Sequence, residues 1–136
     1  MKLFGGRVCG NKIFPPSIYL HCMSIVRRLD QVSETPHPFL KNVGMRTLYS
    51  EKEDDGDITC FIVRCNVGSE IEEHVHPEEA DIIYVLQGRA TMWIEDRGSF
   101  PLMPGVFVVV PKGLKHRTYD VLEELLIYYV FSPPMF

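Results

Sequence analysis

From about Met45 onward, apolar and polar residues follow one another in short runs broken by Gly, Pro and Asp. The runs cover residues 45–50, 58–67, 72–76, 81–87, 89–95, 106–110, 115–120 and 124–131. They are rich in Val, Ile, Tyr, Phe and Thr, the residues that suit a pleated surface. Turn chemistry separates them: Asp55-Gly56, Gly68-Ser69, Gln87-Gly88, Arg97-Gly98, Pro104-Gly105 and Pro111-Lys112-Gly113. Strands spaced by roughly 8–12 residues predict an all-β sandwich or barrel rather than a parallel α/β sheet. In residues 58–67 the alternation puts Phe61, Val63, Cys65 and Val67 on one core face and leaves Arg64 facing solvent. Residues 124–131 show almost no alternation, which predicts cover on both faces, from a second copy of the chain or from the segment before the barrel. Only residues 23–32 offer room for a short helix. The acidic stretch 51–57 lacks the spacing of a calcium loop and reads as a solvated hairpin turn.

The chain has 136 residues, one domain's worth. A formal net charge of −4 argues against binding nucleic acid through its phosphates. No apolar run approaches the roughly 20 residues that span a bilayer, and the N-terminus makes a poor signal peptide. Cysteines 9, 22, 60 and 65 form no CxxC pair, and Cys60 and Cys65 fall on opposite faces of one run, so we expect reduced thiols and a cytoplasmic protein. The first 22 residues contain Lys2, Arg7 and Lys12 and no acid. The expected division is therefore residues 1–22 as an extension, disordered or not native, with an arm packed on a neighbour as the alternative. Residues 23–44 form a pre-barrel segment and 45–136 the barrel.

Chemistry concentrates around three histidines. His74 and His76 are two residues apart, so on a strand both imidazoles point to one face. Asp81 opens the next run, and His116 follows the Pro111-Lys112-Gly113 turn. Three imidazoles and a carboxylate suit a divalent transition ion, with Fe, Mn, Zn and Ni all admissible. His21 and His37 read as surface or satisfied histidines, His37 in a loop between two prolines.

The spacing resembles the two motifs of the cupin superfamily, in its small single-domain form. Gly68, five residues, His74-Val75-His76, four residues, Asp81, six residues and Gly88 match the first motif. Gly105, five residues, Pro111-Lys112-Gly113, two residues, His116, three residues and Asp120 match the second. Asp81 stands where the family has Glu, and Asp120 where it has Asn. Asp is one methylene shorter than Glu, which leaves direct, water-mediated or no coordination open at Asp81. Glu79 is the alternative carboxylate, and Asp120 reads as a turn residue. The resemblance implies a single antiparallel jelly-roll β-barrel, with one divalent metal held in its mouth by His74, His76, Asp81 and His116. It also implies glycine at positions 68, 88, 105 and 113 for positive φ or close approach.

What the resemblance implies about activity is a metal-dependent enzyme acting on a small organic molecule. Dioxygenase, isomerase, decarboxylase and lyase types are all found among related proteins. The alternative is a non-catalytic module that binds or senses a small ligand or a metal. A homodimer is also expected, since the family often pairs and residues 124–131 ask for cover. No nucleic acid or membrane partner is expected.

Overall fold

The computed structural model describes residues 26–136, together with the backbone of two short N-terminal strands. Those strands, β1 (Arg7–Cys9) and β2 (Lys12–Phe14), pair antiparallel. Most of the expected 1–22 extension, His21 and Cys22 lie outside the described residues.

The remaining strands are β3 (Thr35–Pro36), β4 (Val43–Tyr49), β5 (Thr59–Cys65), β6 (Ile71–His74), β7 (Ala80–Ile94), β8 (Gly98–Leu102), β9 (Phe107–Val110) and β10 (His116–Ser132). All pairings are antiparallel. The order along the sheet is β3-β4-β5-β10-β7-β8, with β6 against β10 and β9 against β7. The hydrogen-bonded ladder does not close. The expected jelly roll therefore forms as an open antiparallel sheet around a single core.

Two long strands organise this fold. β7 and β10 pair along almost their whole length, with irregularities between Tyr119 and Ile127. The first part of β10 takes β6 as a neighbour, and the second part takes β5. The sequence pattern splits each of these strands in two, at Gln87-Gly88 and after Asp120. The structure keeps each strand whole. Gly88 has φ +92°, and a Cβ there would lie 2.2 Å from the Glu124 carbonyl oxygen. The glycine is thus a close-approach point inside a strand, not a turn. Asp120 takes φ +49° at the matching irregularity.

Burial alternates as the pattern predicts in β7 and the second half of β10, whereas β5 is buried on both faces, since Cys60 and Ile62 are buried as well. Phe61, Val63 and Cys65 of β5, Ile83 and Val85 of β7, and Leu125 and Ile127 of β10 are buried. Arg64 faces outward and pairs with Glu34 at 2.6 Å. Val67 departs from the pattern and is 64% exposed. β5 has ended by then, and the Gly68 turn breaks the period of two.

Helical structure also departs from the sequence reading. The described part of residues 23–32 holds only a 3₁₀ turn, Leu29–Gln31. The acidic stretch contains one α-helical turn, α1 (Glu51–Asp54). Ser50 caps it by accepting from the Glu53 N–H at 3.2 Å, and Asp54 accepts from the Ser50 N–H at 3.0 Å. Ser50 followed three residues later by Glu53 is the capping-box spacing. Asp54 also pairs with Arg27. β8, after the Asp96-Arg97-Gly98 turn, has no counterpart among the expected strands. Its sequence, Gly-Ser-Phe-Pro-Leu, carries a glycine and a proline, and it pairs on one side only, with β7.

Candidate metal centre

Four side chains meet at one end of the core. His74 is the last residue of β6 and stands directly across from His116, the first residue of β10. Asp81 is the second residue of β7, opposite Phe131 on one side and Val110 on the other. His76 lies two residues beyond the end of β6, not on the strand as the alternation implies. It is held instead through its backbone: the Gly113 N–H donates to the His76 carbonyl at 2.8 Å. Gly113 has φ +84°, which the Pro-Lys-Gly turn needs. One turn thus fixes both the segment that bears His76 and the start of the strand that bears His116.

The donor atoms of His74, His76, Asp81 and His116 all lie within 4.8 Å of one another. The rings of His74 and His116 are 4.2 Å apart, and those of His74 and His76 are 4.8 Å apart. His116 and Asp81 are each 2% exposed, while His74 and His76 are half-buried. Donors about 2.1 Å from a common ion sit about 3–4.2 Å apart, so an ion needs only a small inward movement of the outermost ring.

Two observations show that the cluster fits a cation. First, the histidine tautomers are set. The Nδ1 of His74 lies 2.7 Å from the Glu72 carbonyl, and the Nδ1 of His116 lies 3.0 Å from the Leu114 carbonyl. A carbonyl only accepts, so each Nδ1 carries the proton and each Nε2 presents a lone pair. Second, His116 Nε2 and Asp81 Oδ1 are buried with no hydrogen-bond partner. Buried polar atoms are nearly always satisfied, and a cation would satisfy both.

The electrostatics agree. Burial pushes the His76 imidazole down to about 4, with His74 and His116 adding to the effect. Burial also lowers His74. Burial raises the Asp81 carboxyl, against the opposing pull of His116 and His74. The imidazoles of His74 and His76 are therefore neutral at pH 7, the form that ligates.

The other sequence candidates lie elsewhere. Glu79 is not part of the cluster. Asp120 is exposed at a positive-φ irregularity inside β10, not in a turn as the sequence suggests. Arg64 is occupied by Glu34. Cys60 and Cys65 are free and buried, and burial pushes the Cys65 thiol up to about 11.

A cavity of about 370 Å³ opens onto the four donors. His37, read from sequence as a surface or satisfied histidine, lines it. β3 explains this placement: Pro36 pairs with Gly44 at the sheet edge, and the His37 N–H donates to the Val43 carbonyl at 2.9 Å. The prolines around His37 signal a rigid loop, but not which end of the sheet it covers. Phe136 was missed as well. Thr59, fully buried, donates its hydroxyl to the Phe136 carbonyl at 3.0 Å and accepts from the Met135 N–H at 3.0 Å. This brings Phe136 to within 5.7 Å of Phe61, ring to ring.

Comparison with known proteins places this geometry in a family. The chain is 33% identical over 57 residues to the polyketide synthase CurC of Streptomyces cyaneus, an alignment that covers 42% of this chain and 36% of that protein. The chain thus matches only about a third of that relative's length. Among solved structures, it resembles a predicted oxalate decarboxylase of Thermotoga maritima, with a TM-score of 0.71 and 18% identity over 80% of this chain and 99% of the other. It also resembles the polyketide cyclase RemF of Streptomyces resistomycificus, with a TM-score of 0.70 and 18% identity over 84% of this chain and 87% of the other. At such identities the structural likeness speaks for the fold alone. The model of the cupin domain matches residues 61–130, just over half of the sequence and the stretch that contains all four donors. On that match, the chain belongs to the cupin domain family.

Proposed function

We propose that the protein binds one divalent transition metal through His74, His76, Asp81 and His116, and that it is a metal-dependent enzyme acting on a small organic molecule. The carrying observation is the pair of buried, unpartnered atoms, His116 Nε2 and Asp81 Oδ1, facing two further imidazoles. An ion held there would polarise a bound oxygen as a Lewis acid while keeping positions free for substrate. The protein's own contributions are distinct. The Glu72 and Leu114 carbonyls hold His74 and His116 in the ligating tautomer. Asp81 offsets part of the ion's charge in a buried setting. The Phe131 ring, 4.7 Å from that of His76, keeps water off one side of the centre. A site built only to bind metal has no need of a 370 Å³ cavity leading to the ion. The identity of the ion stays open among Fe, Mn, Zn and Ni.

The test is turnover by protein reloaded with each of these ions, against keto acids, diols, sugars and aromatic hydroxyketones. We expect conversion of at least one class, abolished by chelation. Tight binding without conversion in every class would replace the enzyme by a binding module.

The protein is also proposed to act as a homodimer. Tyr84, Leu86, Phe107 and Val109 are exposed on the outer face of β7 and β9. The register places Tyr84 beside Phe107 and Tyr128, and Ile82 beside Val109 and Val130. An apolar sheet face of this kind is suited to a second copy of itself. The buried, free cysteines support a reducing, cytoplasmic setting. No helix among the described residues is long and apolar enough to cross a membrane.

A further inference from the structure

The cavity walls carry information about what the ion's partner looks like. One wall is aromatic and continuous. The rings of Phe61 and Tyr129 are stacked 5.2 Å apart at an interplanar angle of 7°. Phe131 lies 5.3 Å from Phe61 on one side, and Phe136 5.7 Å from it on another. Met45 and Met92, flexible and apolar, line the cavity as well. The wall begins at the metal centre, since Phe131 is also the neighbour of His76.

Charge is arranged against anions. No Lys or Arg is among the described residues that line the cavity, whereas Glu72 and Glu73 are. Sites for dicarboxylates, phosphates and sugar acids ordinarily hold them with Arg or Lys, through paired charge-assisted hydrogen bonds. Arg64, on the same strand as Phe61, is turned outward to Glu34 and Glu124. Glu72 and Glu73 are both exposed at its rim, and no lining Lys or Arg would add to the ion's attraction for an anion.

The mouth is apolar too. Phe39 lines the cavity yet is 90% exposed. Its backbone N–H donates to His37 Nδ1 at 3.2 Å, which anchors the loop, and its ring meets that of His37 only edge-on at 6.2 Å. An exposed phenylalanine at a cavity mouth gains by covering an apolar guest, since one such ring can bury 150 Å² or more, as a rough value.

We propose that the substrate of this centre is an uncharged, planar, largely apolar molecule, which lies along the Phe61–Phe131 wall and presents a neutral oxygen pair to the ion. The inference rests on the metal-centre reading for its oxygen end, and on the cavity walls alone for its apolar body. A 370 Å³ cavity suits a body of two or more fused rings.

The experiment compares two chelating probes by calorimetry, on the full chain loaded with Ni²⁺ and on the metal-free chain. One probe is 1-hydroxy-2-acetonaphthone, planar and neutral; the other is oxalate, small and dianionic. In the loaded protein the naphthone is expected to bind at least about tenfold more tightly than oxalate. Phe39→Ala, a change at an exposed side chain, is expected to weaken the naphthone roughly three- to tenfold and to leave oxalate unaltered. Oxalate binding as well as the naphthone, or a Phe39→Ala effect equal for both, overturns the substrate class while metal binding stands. A chain that takes up no Ni²⁺ but binds the naphthone supports the class and removes the metal reading instead. Failure to bind the naphthone in either state overturns the class.

Discussion

Asp81 Oδ2 lies 3.3 Å from His116 Nε2, in a pocket where both residues are 2% exposed. The two atoms are close enough to attract. Yet His116 Nε2 has no hydrogen-bond partner, because its ring proton is held at Nδ1 by Leu114. A lone pair thus faces a carboxylate, an arrangement that is unfavourable unless a cation joins them. Asp81→Asn separates the two roles. The variant is expected to lose about 100-fold in affinity for metal, roughly 2.7 kcal/mol, and to lose the corresponding gain in melting temperature on loading. Without metal it should be at least as stable as wild type, since a buried carboxyl without a good partner costs more than an amide. Calorimetric titration and thermal melts, with and without metal, check both halves.

Acid should weaken the metal-free fold through the same cluster. The His76 value falls to about 4 in the folded chain, from an ordinary 6.5, and His74 moves in the same direction. A histidine whose value is depressed by folding binds fewer protons folded than unfolded in that window, so stability is lost as pH falls below about 6.5. The raised carboxyl of Asp81 acts in the opposite sense and moderates the loss. Melting temperature in a chelating buffer should drop between pH 7 and pH 5, and the drop should be smaller in His76→Gln. An equal drop in that variant would remove His76 as its source.

Gly88 tests the long-strand reading of β7. Its φ of +92° is foreign to L side chains, and a Cβ would press on backbone at 2.2 Å, not on a movable side chain. Gly88→Ala should cost more than about 2 kcal/mol, read by urea denaturation. Gly98→Ala, where φ is +84° but nothing lies within 4 Å, should cost less. Equal costs would mean that close approach is not what glycine serves at position 88.

The outer face of β7 and β9 predicts association. Phe107 is 62% exposed, and the register places it beside Tyr84. Phe107→Asp should shift the chain from dimer to monomer in light scattering while leaving metal content unchanged. A monomeric wild type at micromolar concentration would dispose of the dimer.

Much of this molecule is legible in its sequence, and the unread parts have distinct physical causes. Period-two alternation in 81–85 located the core face, because that strand is packed on one side, whereas in 58–65 it marked Phe61, Val63 and Cys65 but missed that Cys60 and Ile62 are buried too. The spacing from Gly68 to Asp120, through its resemblance to two family motifs, singled out the four side chains that the structure brings together. Gly88 and Asp120 misled as strand ends, since a residue that breaks a turn-free pattern looks the same whether the chain turns or bulges. His37 and Phe136 were invisible for another reason. Each reaches the cavity through a long-range pairing, Pro36 with Gly44 and Phe136 with Thr59 across 77 positions, and local pattern holds no trace of either. α1 was within reach, since Ser50 and Glu53 stand at capping-box spacing ahead of it.

The central claim is that four donors hold one ion. Metal content by plasma mass spectrometry, on wild type and His116→Ala purified without chelator and then reloaded, tests it most directly. The account predicts about one transition ion per chain in wild type and less than a tenth of that in the variant, with circular dichroism unchanged between the two. Equal metal content in a folded His116→Ala protein would contradict it.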